Sequence, residues 1–414
     1  MWTLQSLYPE LGVNSIMLAS MASGITTSII LETILLKRGA DQLSWTMATR
    51  TAMGMSMVSM IAMEIVENAV DYHLTGGLVA FGDPKFWLAA VLSIGAGFLA
   101  PLPYNYARLR NPSKDIPDLS GQSIFITGGT GGLGAGTALE LSKHNPAHIY
   151  ISGRNAKNAE KIIAEIEKSN KSTRVTFVEC DLSSLSAVQN AADHFLAQTP
   201  PPRLDTLICN AGIMNRPQET SKEGYEIQFA TNHLGHALLI RKLLPLLEKT
   251  ASEGKDGRIV VLSSLAWQMH PLGGIQFDRL RSGQSFPILG PWQRYGQTKL
   301  ANLLYARELA KRYPHLTCVS VYPGIVTTNL FDYMSFKNKV MLYGCFWWFM
   351  VRPEKGVQNQ LWAATTPKKE LSNGSFYNPV GKNGDSGLMR CAKDSKGVHA
   401  KRLWEWTEDA LKGY

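Results

Sequence analysis

Six short apolar runs, separated by stretches with a helical pattern, constrain the fold of this chain more than any other feature. They begin at Ser123 and continue through HIYISGRN, VTFVECDL, LDTLICNAG, GRIVVLSS and LTCVSVYPG. Largely apolar strands with helices between them are typical of a parallel sheet that is covered on both faces. The sequence therefore predicts an α/β domain with a doubly wound parallel sheet, which binds its ligands at the carboxyl ends of the strands.

A glycine-rich turn follows the first apolar run. It reads TGGTGGLG, from Thr127 to Gly134, and a helical pattern comes directly after it. Glycines let the backbone turn tightly and approach a pyrophosphate, which is held by amides and the positive end of the following helix. Such strings also occur in ordinary turns, but a position between strand and helix indicates a dinucleotide-binding domain of the Rossmann type.

The residue after the second strand indicates which dinucleotide is bound. An acidic residue commonly stands there and holds the ribose of NAD, whereas this chain has Gly153 and Arg154. A carboxylate repels a 2′-phosphate, while a guanidinium binds it with paired donors. Arg154 therefore favours NADP, and the alternative is a solvated loop arginine.

Composition changes sharply near residue 105. Before it, three segments predict transmembrane helices: Leu11 to Leu31, Thr51 to about Val70, and Phe86 to Pro103. The first segment lacks the basic start and cleavage site of a signal peptide, so we expect it to remain as an anchor. The predicted organisation is a membrane region at 1–107, a linker at 108–120 and an α/β domain at 121–414.

Basic residues predict the orientation of this region. Positive charge favours the cytosolic side, and it lies between the first two segments and after the third, at Lys37, Arg38, Arg50, Arg108, Arg110 and Lys114. The loop between the second and third segments offers only Lys85. We therefore expect a multi-pass protein of the endoplasmic reticulum membrane whose α/β domain faces the cytosol.

The second segment carries a stripe of Met and polar side chains at helical spacing. Its members are Met53, Met57, Met60, Glu64, Glu67, Asn68 and Asp71. Ionisable groups at membrane depth usually face a bundle interior or a cavity. One interpretation is a metal or proton site of thioethers and carboxylates. The other, which we favour, is a polar seam between helices.

Charge and cysteine content exclude several classes of function. The net charge is +9, but Lys and Arg are scattered and form no basic run with interleaved aromatics, so we predict no nucleic-acid partner. An anionic membrane surface explains the charge equally well. The five cysteines are widely spaced, without a CxxC pair, which favours a reducing compartment and predicts no metal site.

Tyr295 and Lys299 stand four residues apart at the start of an apolar-periodic segment, so they share one face of a predicted helix. With this pair, the chain from about Gly121 to Gly387 resembles the short-chain dehydrogenase/reductase family. Thr127 to Gly134 is similar to its TGxxxGxG loop, Asn210-Ala211-Gly212 to its NAG motif, Tyr295 to Lys299 to YxxxK, and Pro323 to Thr328 to PGxVxT. All four motifs occur in the family's order.

The resemblance implies four catalytic residues. Tyr295 is the expected general acid in reduction and base in oxidation. A free phenol has a pKa of roughly 10, and we expect the Lys299 ammonium, with an oxidised nicotinamide, to lower it. Ser264 matches the serine that hydrogen-bonds the substrate oxygen, with Ser263 as its competitor. Asn232 matches the asparagine that anchors a water between Lys299 and solvent. His233 and His236 are expected to be packing residues.

The resemblance also implies a set of cofactor contacts. Leu133 and the neighbouring glycines are assigned to the pyrophosphate, Asp181 to the adenine, Asn210 to a ribose, and Val326 and Thr328 to the carboxamide. The full predicted set is Gly128, Thr130, Gly132, Leu133, Gly134, Arg154, Asp181, Asn210, Ala211, Gly212, Tyr295, Lys299, Pro323, Val326 and Thr328.

The substrate site is expected in an insertion, Leu265 to Gln293, and in the segment after Pro323. The insertion is rich in large apolar side chains, namely Trp267, Met269, Phe277, Phe286 and Trp292. The run Val340 to Val351 is too short to span a bilayer. It is interpreted either as a core helix or as a lid that dips into the membrane surface and passes a lipid-like substrate to the site.

These features predict a membrane-anchored NADP(H)-dependent oxidoreductase. It would interconvert an alcohol and a carbonyl on an apolar small molecule such as a retinoid, sterol, terpenoid or polyketide. The motifs look most like the retinol-dehydrogenase-like branch, and the first three helices resemble a small membrane domain of unknown function. The alternative is a vestigial cofactor-binding module attached to a working membrane domain. The sequence does not determine the direction of the reaction, nor whether the protein forms a homo-oligomer.

Overall fold

A computed structural model describes residues 10–38, 45–76, 82–99, 115–327, 329–331, 334–335, 338–340, 342–343 and 350–414. The chain divides into two compact units, Met1–Arg110 and Asn111–Tyr414. The second unit contains every motif identified above. Thr328 and most of the run from Val340 to Val351 lie outside the described residues, so the predictions for them stay predictions.

The first unit contains three helices, α1 (Val13–Arg38), α2 (Trp45–Thr75) and α3 (Pro84–Leu99). Within residues 10–38, 45–76 and 82–99, no helix combines the length and the hydropathy that crossing a membrane requires. In α2 three carboxylates interrupt the apolar sequence. The prediction of three transmembrane helices is therefore not supported.

The carboxylates of α2 lie against glycines of the two neighbouring helices. A Cβ on Gly24 of α1 would meet the Glu64 carboxylate at 2.1 Å, and one on Gly97 of α3 would meet Glu67 Cβ at 3.2 Å. Asn68 donates to the Glu64 backbone carbonyl at 2.7 Å. These close helix contacts favour the polar-seam interpretation of the stripe. The side chains of Met53, Met57 and Met60 lie outside the described residues.

The second unit is built on a sheet with the predicted doubly wound topology. Its strands are β1 (Ser123–Thr127), β2 (His148–Gly153), β3 (Arg174–Glu179), β4 (Thr206–Cys209), β5 (Arg258–Leu262), β6 (Thr317–Val321), β9 (Phe376–Asn378) and β10 (Lys382–Asn383), and their order is β10-β9-β6-β5-β4-β1-β2-β3. All neighbouring pairs are parallel except β9 and β10. The order reverses between β1 and β4, and this switch point is where such sheets bind ligands.

Alternate residues of the central strands enter two different cores. Ile124 and Ile126 of β1 belong to a cluster on one face, while Phe125 belongs to a larger cluster on the other. Burial of one such side chain stabilises the fold by about 1.5–3 kcal/mol. The continuous apolar runs of the sequence therefore follow from a sheet that is covered on both faces.

Helices cover the sheet and carry the site. They are α4 (Gly132–Ser142), α5 (Ala156–Ser169), α6 (Leu185–Leu196), α7 (Ile227–Phe229), α8 (Gly235–Ser252), α9 (Gly290–Arg312), α10 (Pro353–Gly356), α11 (Gln358–Thr365), α12 (Arg390–Lys393) and α13 (Val398–Ala410). A π-helical turn, Ala230–Leu234, joins α7 to α8. In α9 the helix begins with Pro291 in its first turn and ends at Lys311 and Arg312, which suits the helix dipole.

Short elements outside the six predicted strands complete the unit. A second small sheet pairs β7 (Ile325–Val326) with β8 (Met350–Val351) in parallel. The insertion after β5 forms two 3₁₀ turns, Leu265–Met269 and Phe277–Arg279, before α9 begins. The first of these turns lies directly against α9, since a Cβ on Gly296 would approach the Ala266 carbonyl oxygen to 2.7 Å.

Candidate active site

The turn between β1 and α4 forms a cradle that only glycine backbone allows. Gly128 has a φ of +66°, in the left-handed region that glycine adopts without strain. A Cβ on Gly134 would lie 2.2 Å from the Gly128 carbonyl oxygen and 2.6 Å from Asn210 Nδ2. The turn, the start of α4 and the end of β4 are therefore in direct backbone contact. This arrangement fits a pyrophosphate held at the N-terminus of a helix.

Hydrogen bonds that Thr127 accepts hold the NAG segment beside this cradle. The Thr127 hydroxyl oxygen accepts the backbone N–H groups of Asn210 and Ala211 at 2.9 and 3.0 Å. Asn210 Nδ2 donates to the Thr127 carbonyl oxygen at 2.8 Å. The ends of β1 and β4, the two strands of the switch point, are thus joined by side chains as well as by the sheet.

A cavity of about 610 Å³ runs along the carboxyl ends of the strands. Of the predicted cofactor contacts, it is lined by Gly128, Thr130, Gly132, Leu133, Arg154, Asp181, Asn210, Ala211, Gly212, Tyr295, Lys299 and Pro323. Gly134, in the first turn of α4, does not itself line the cavity. Val326 is buried beside Leu133, because both side chains lie within 3 Å of the Cβ position of Gly356. The predicted cofactor residues that the structure describes therefore gather around one cavity.

The far end of the cavity is polar, and it includes a residue that the sequence analysis missed. Arg154 is exposed and lines the cavity with Thr130 and Asn158. Asp181 also lines it, and its Oδ1 accepts the backbone N–H and the hydroxyl of Ser183 at 3.0 and 2.7 Å. Asn158 had a signal in the sequence, since it stands in the first turn of the helix that follows Arg154.

Helix α9 and the end of β5 bring three of the predicted catalytic groups together. The Ser264 hydroxyl lies near enough to the Tyr295 hydroxyl to favour the phenolate form. Lys299 Nζ lies 5.5 Å from the centroid of the Tyr295 ring and donates to the Leu262 carbonyl oxygen at 3.0 Å. Ser263 also lines the cavity, but its hydroxyl donates to the Lys299 carbonyl oxygen at 2.7 Å. Ser264, and not Ser263, is therefore the serine paired with the phenol.

Burial shifts the pKa values of the two ionisable groups in this site. Burial raises the pKa of Tyr295 above its ordinary value, and the nearby Ser264 hydroxyl opposes this shift only in part. Burial also lowers the pKa of Lys299 to about 8. The shift arises from burial, and Lys299 is not among its causes, so the expected lowering by the ammonium together with an oxidised nicotinamide stays a prediction. The protein keeps Tyr295 as a neutral phenol at neutral pH.

Asn232 lies in the π-helical turn, next to Lys299. Its Oδ1 accepts the Ile213 N–H at 2.8 Å, and its Nδ2 donates to the Ile213 carbonyl oxygen at 2.9 Å and to Thr298 Oγ1 at 3.1 Å. A Cβ on Gly212 would lie 3.2 Å from Asn232 Oδ1 and 3.8 Å from Lys299 Nζ. Asn232 therefore ties the NAG segment to the catalytic helix. Its predicted role in holding a water stays a prediction.

An apolar wall surrounds the phenol. Tyr295 belongs to a buried cluster with Met214, Trp292, Phe331, Met334 and Leu342, and Met269 packs against the same cluster. Trp292 and Met269 come from the predicted insertion, whereas Phe331, Met334 and Leu342 follow β7. Both segments that were expected to build the substrate site contribute to this wall.

The geometry offers a defined set of chemical functions. Tyr295 and Ser264 present two hydroxyl groups to one oxygen atom of a substrate, in a site where apolar side chains exclude water. Lys299 carries a proton at neutral pH and lies in the same cavity. A nicotinamide dinucleotide fits the residues present, with its pyrophosphate in the glycine cradle, and when bound it supplies the hydride chemistry.

Comparison with known proteins agrees with this site. The short chain dehydrogenase family matches residues 122–276, and a domain of unknown function, DUF4396, matches residues 1–114. An uncharacterized oxidoreductase of Schizosaccharomyces pombe is 37% identical over 289 residues, which are 67% of this chain and 84% of that protein. Retinol dehydrogenase 14 of Homo sapiens is 32% identical over 348 residues, which are 80% of this chain and 95% of that protein.

A solved structure gives the same result for the fold. An uncharacterized protein from Mycobacterium paratuberculosis superposes with a TM-score of 0.55 at 29% identity, covering 72% of this chain and 97% of that one. The family binds NAD(P), and its oxidoreductases act on small-molecule alcohols and carbonyls. With the switch-point cavity, the glycine cradle and the Tyr295 to Lys299 helix in place, the chain belongs to the short-chain dehydrogenase/reductase family.

Proposed function

We propose that this protein is an NADP(H)-dependent oxidoreductase that interconverts an alcohol and a carbonyl on an apolar substrate. One observation carries the proposal: Tyr295 lines the cofactor cavity with Lys299, lies next to Ser264 and is packed among apolar side chains. In reduction, the substrate carbonyl accepts a hydride on carbon and the Tyr295 proton on oxygen, while Ser264 donates a hydrogen bond to that oxygen. In oxidation, both transfers are reversed.

The charges at the far end of the cavity support NADP over NAD. Arg154 lines this end, and Gly153 to Asn158 contain two cationic side chains and no carboxylate. A 2′-phosphate carries a negative charge that a guanidinium binds with two parallel hydrogen bonds. Thr130 and Asn158 offer neutral polar groups beside it.

Two neighbouring apolar surfaces support a large, water-insoluble substrate. The first is the cluster around Tyr295. The second is a groove of about 460 Å³ along the insertion, lined by Met269, His270, Pro271, Leu272, Gln276, Phe286, Leu289 and Gln293. Met269 contributes to both surfaces. We propose that the reacting end of a retinoid, sterol, terpenoid or polyketide lies at Tyr295 and its unreactive end extends along this groove.

The alternative, a vestigial cofactor-binding module, is less well supported. Loss of activity usually leaves at least one catalytic group replaced or misplaced, whereas all four predicted groups are present here: Tyr295 and Lys299 line the cavity, and Asn232 and Ser264 lie beside them. Ser264 lies next to the phenol, and Asn232 bonds Thr298 beside Lys299.

The two functions are distinguished by turnover of the purified full chain. We expect NADPH to be oxidised in the presence of apolar aldehydes and ketones of the four classes named above, and more slowly with NADH. Binding of NADPH without turnover across such a panel would favour the vestigial module. Turnover confined to small water-soluble carbonyls would contradict the proposed substrate class and leave the redox activity standing.

The cellular location is a separate proposal. We propose that the protein is attached to the endoplasmic reticulum membrane with the second unit in the cytosol. The basic residues at the end of α1, Lys37 and Arg38, support this orientation. Helix α3 leaves Trp87, Leu88 and Val91 more than half exposed, which is typical of a contact surface. Alkaline extraction of microsomes tests attachment. Glycans on Asn170 or Asn373, both in acceptor sequences, would place the second unit in the lumen instead.

A further inference from the structure

A buried imidazole lies between the cofactor cradle and the π-helical turn. His236, in the first turn of α8, is only 2% exposed. Its Nδ1 lies 3.0 Å from the backbone carbonyl oxygen of Asn232, and its Nε2 lies 2.8 Å from Thr127 Oγ1. The ring therefore bridges a residue at the end of β1 and a residue beside the catalytic lysine, which are 105 positions apart in the sequence.

The partners of His236 determine its tautomer. A carbonyl oxygen only accepts hydrogen bonds, so Nδ1 carries the hydrogen and Nε2 accepts one. The Thr127 hydroxyl must then donate to Nε2, which leaves its oxygen lone pairs for the N–H groups of Asn210 and Ala211. Every donor in this network has an acceptor. Burial lowers the pKa of His236 to about 4, so the neutral ring persists at neutral pH.

The network has a functional group at each end. Asn210 and Ala211 both line the cofactor cavity. Asn232 bonds Thr298, the residue before Lys299, and holds both backbone groups of Ile213. A π-helical turn is a strained local structure that is often retained at functional sites. The ring of His236 satisfies a carbonyl group in this turn.

We propose that His236 is a positioning residue whose neutral imidazole couples the cofactor-binding NAG segment to Asn232 and the Lys299 helix. Its Nε2 orients the Thr127 hydroxyl, and so the two amides that border the cofactor. Its Nδ1–H holds the π-helical turn in the shape that places Asn232. The inference rests on the proposed redox activity for its kinetic readout, but its cofactor-affinity readout requires no turnover.

His233 provides a matched control. It lies one turn away and is 1% exposed. Its Nε2 lies 3.0 Å from Thr407 Oγ1, and Asn302 is a further polar neighbour. Its ring packs edge-on against Tyr305 at 5.1 Å. His233→Phe therefore removes an equally buried imidazole without touching the cavity, whereas His236→Phe breaks both bonds of the bridge.

We expect His236→Phe to weaken NADPH binding and to lower kcat, each by about tenfold, since buried groups lose their partners. His233→Phe should leave NADPH affinity and kcat within about twofold of the unchanged protein, even if it lowers Tm by as much as His236→Phe does. NADPH affinity is measured by calorimetry on the full chain, kcat by NADPH oxidation, and Tm by calorimetric scanning. Equal changes of affinity and kcat in the two Phe variants would show a merely structural role and overturn the proposal.

Two conservative variants separate the ends of the bridge. The amide of His236→Asn lies near the place of Nδ1, so it retains the bond to Asn232 and should preserve kcat while NADPH affinity falls. The amide of His236→Gln lies near the place of Nε2, so it should preserve affinity while kcat falls. Identical behaviour of the Asn and Gln variants contradicts the coupling. If the unchanged chain binds NADPH but reduces no carbonyl, the proposed function fails, and the affinity comparison still tests the Thr127 end.

Discussion

The cofactor side and the substrate side of the cavity are built in different ways. The cofactor side consists of strand ends, glycines and backbone amides at the switch point between β1 and β4. The substrate side consists of large side chains on irregular segments, the insertion before α9 and the chain after β7. Backbone sites tolerate little variation, whereas walls of side chains can change their specificity. We therefore expect substitutions on the cofactor side to have larger effects.

The largest effect is expected at Gly134. In Gly134→Ala the new Cβ has no room against the Gly128 carbonyl oxygen, so the cradle must distort, and NADPH affinity should fall roughly 10- to 100-fold because overpacking costs about 1–3 kcal/mol. Gly136→Ala, two residues further along α4, is the control, since its Cβ would meet only the tip of the Val357 side chain at 3.1 Å. Equal affinity in both variants would contradict a backbone-built cradle.

The polar end of the cofactor side is tested at Arg154. Arg154→Gln removes the guanidinium and should lower the preference for NADPH over NADH by about tenfold, the value of one charged hydrogen bond. Lys157→Gln removes a neighbouring positive charge that does not line the cavity, and it should leave the preference almost unchanged. The ratio of kcat/KM values for the two cofactors measures the effect. A preference that is insensitive to Arg154 would remove the support for NADP.

The border between the two sides is tested by pH. Because burial lowers the pKa of Lys299 to about 8, its ammonium is present below that pH and lost above it, while the raised pKa of Tyr295 keeps the phenol protonated. We expect kcat/KM for carbonyl reduction to be level below pH 8 and to fall about tenfold per pH unit above it. A profile that stays level up to pH 10 would show that the charge of Lys299 is not required.

The smallest effect is expected on the substrate side. Leu272 lines the groove of the insertion and is 86% exposed, so Leu272→Asp should fold normally and lower kcat/KM about threefold for long-chain carbonyls, because it removes part of one apolar contact. Short-chain carbonyls should be unaffected. Val398→Asp, at an exposed apolar position outside the groove, is the control. Equal loss for short and long substrates would contradict the role of the groove.

The same contrast explains what the sequence reveals about the fold. The six central strands were predicted because continuous burial makes them apolar, and the glycine cradle because its backbone contacts exclude a Cβ. The last two strands toward one edge of the sheet, β9 and β10, were missed, since they have only three and two residues and lack a long apolar run. The π-helical turn was missed as well, because no local motif marks it, and the contact of its neighbour His236 with Thr127 joins residues distant in the sequence.

In the active site, some properties could not be predicted from local sequence motifs. Spacing placed Tyr295 and Lys299 on one helix face, but the direction of the pKa shift depends on how deeply the phenol is buried, which spacing does not encode. The family pattern favoured Ser264 over Ser263, and the hydrogen bond of Ser263 with the Lys299 carbonyl oxygen supports that choice. In the first unit, the apolar segments predicted three helices, and the described residues contain three; the prediction that they cross a membrane is not supported.

The most direct test of the account compares Tyr295→Phe with the unchanged full chain in two measurements made side by side. The phenol is proposed to exchange a proton with the substrate and not to hold the dinucleotide cradle. We therefore predict that NADPH affinity stays within about threefold, while the rate of NADPH-dependent reduction of an apolar carbonyl falls by about 10² to 10⁴. A Tyr295→Phe protein that reduces the carbonyl as fast as the unchanged chain would contradict the central claim.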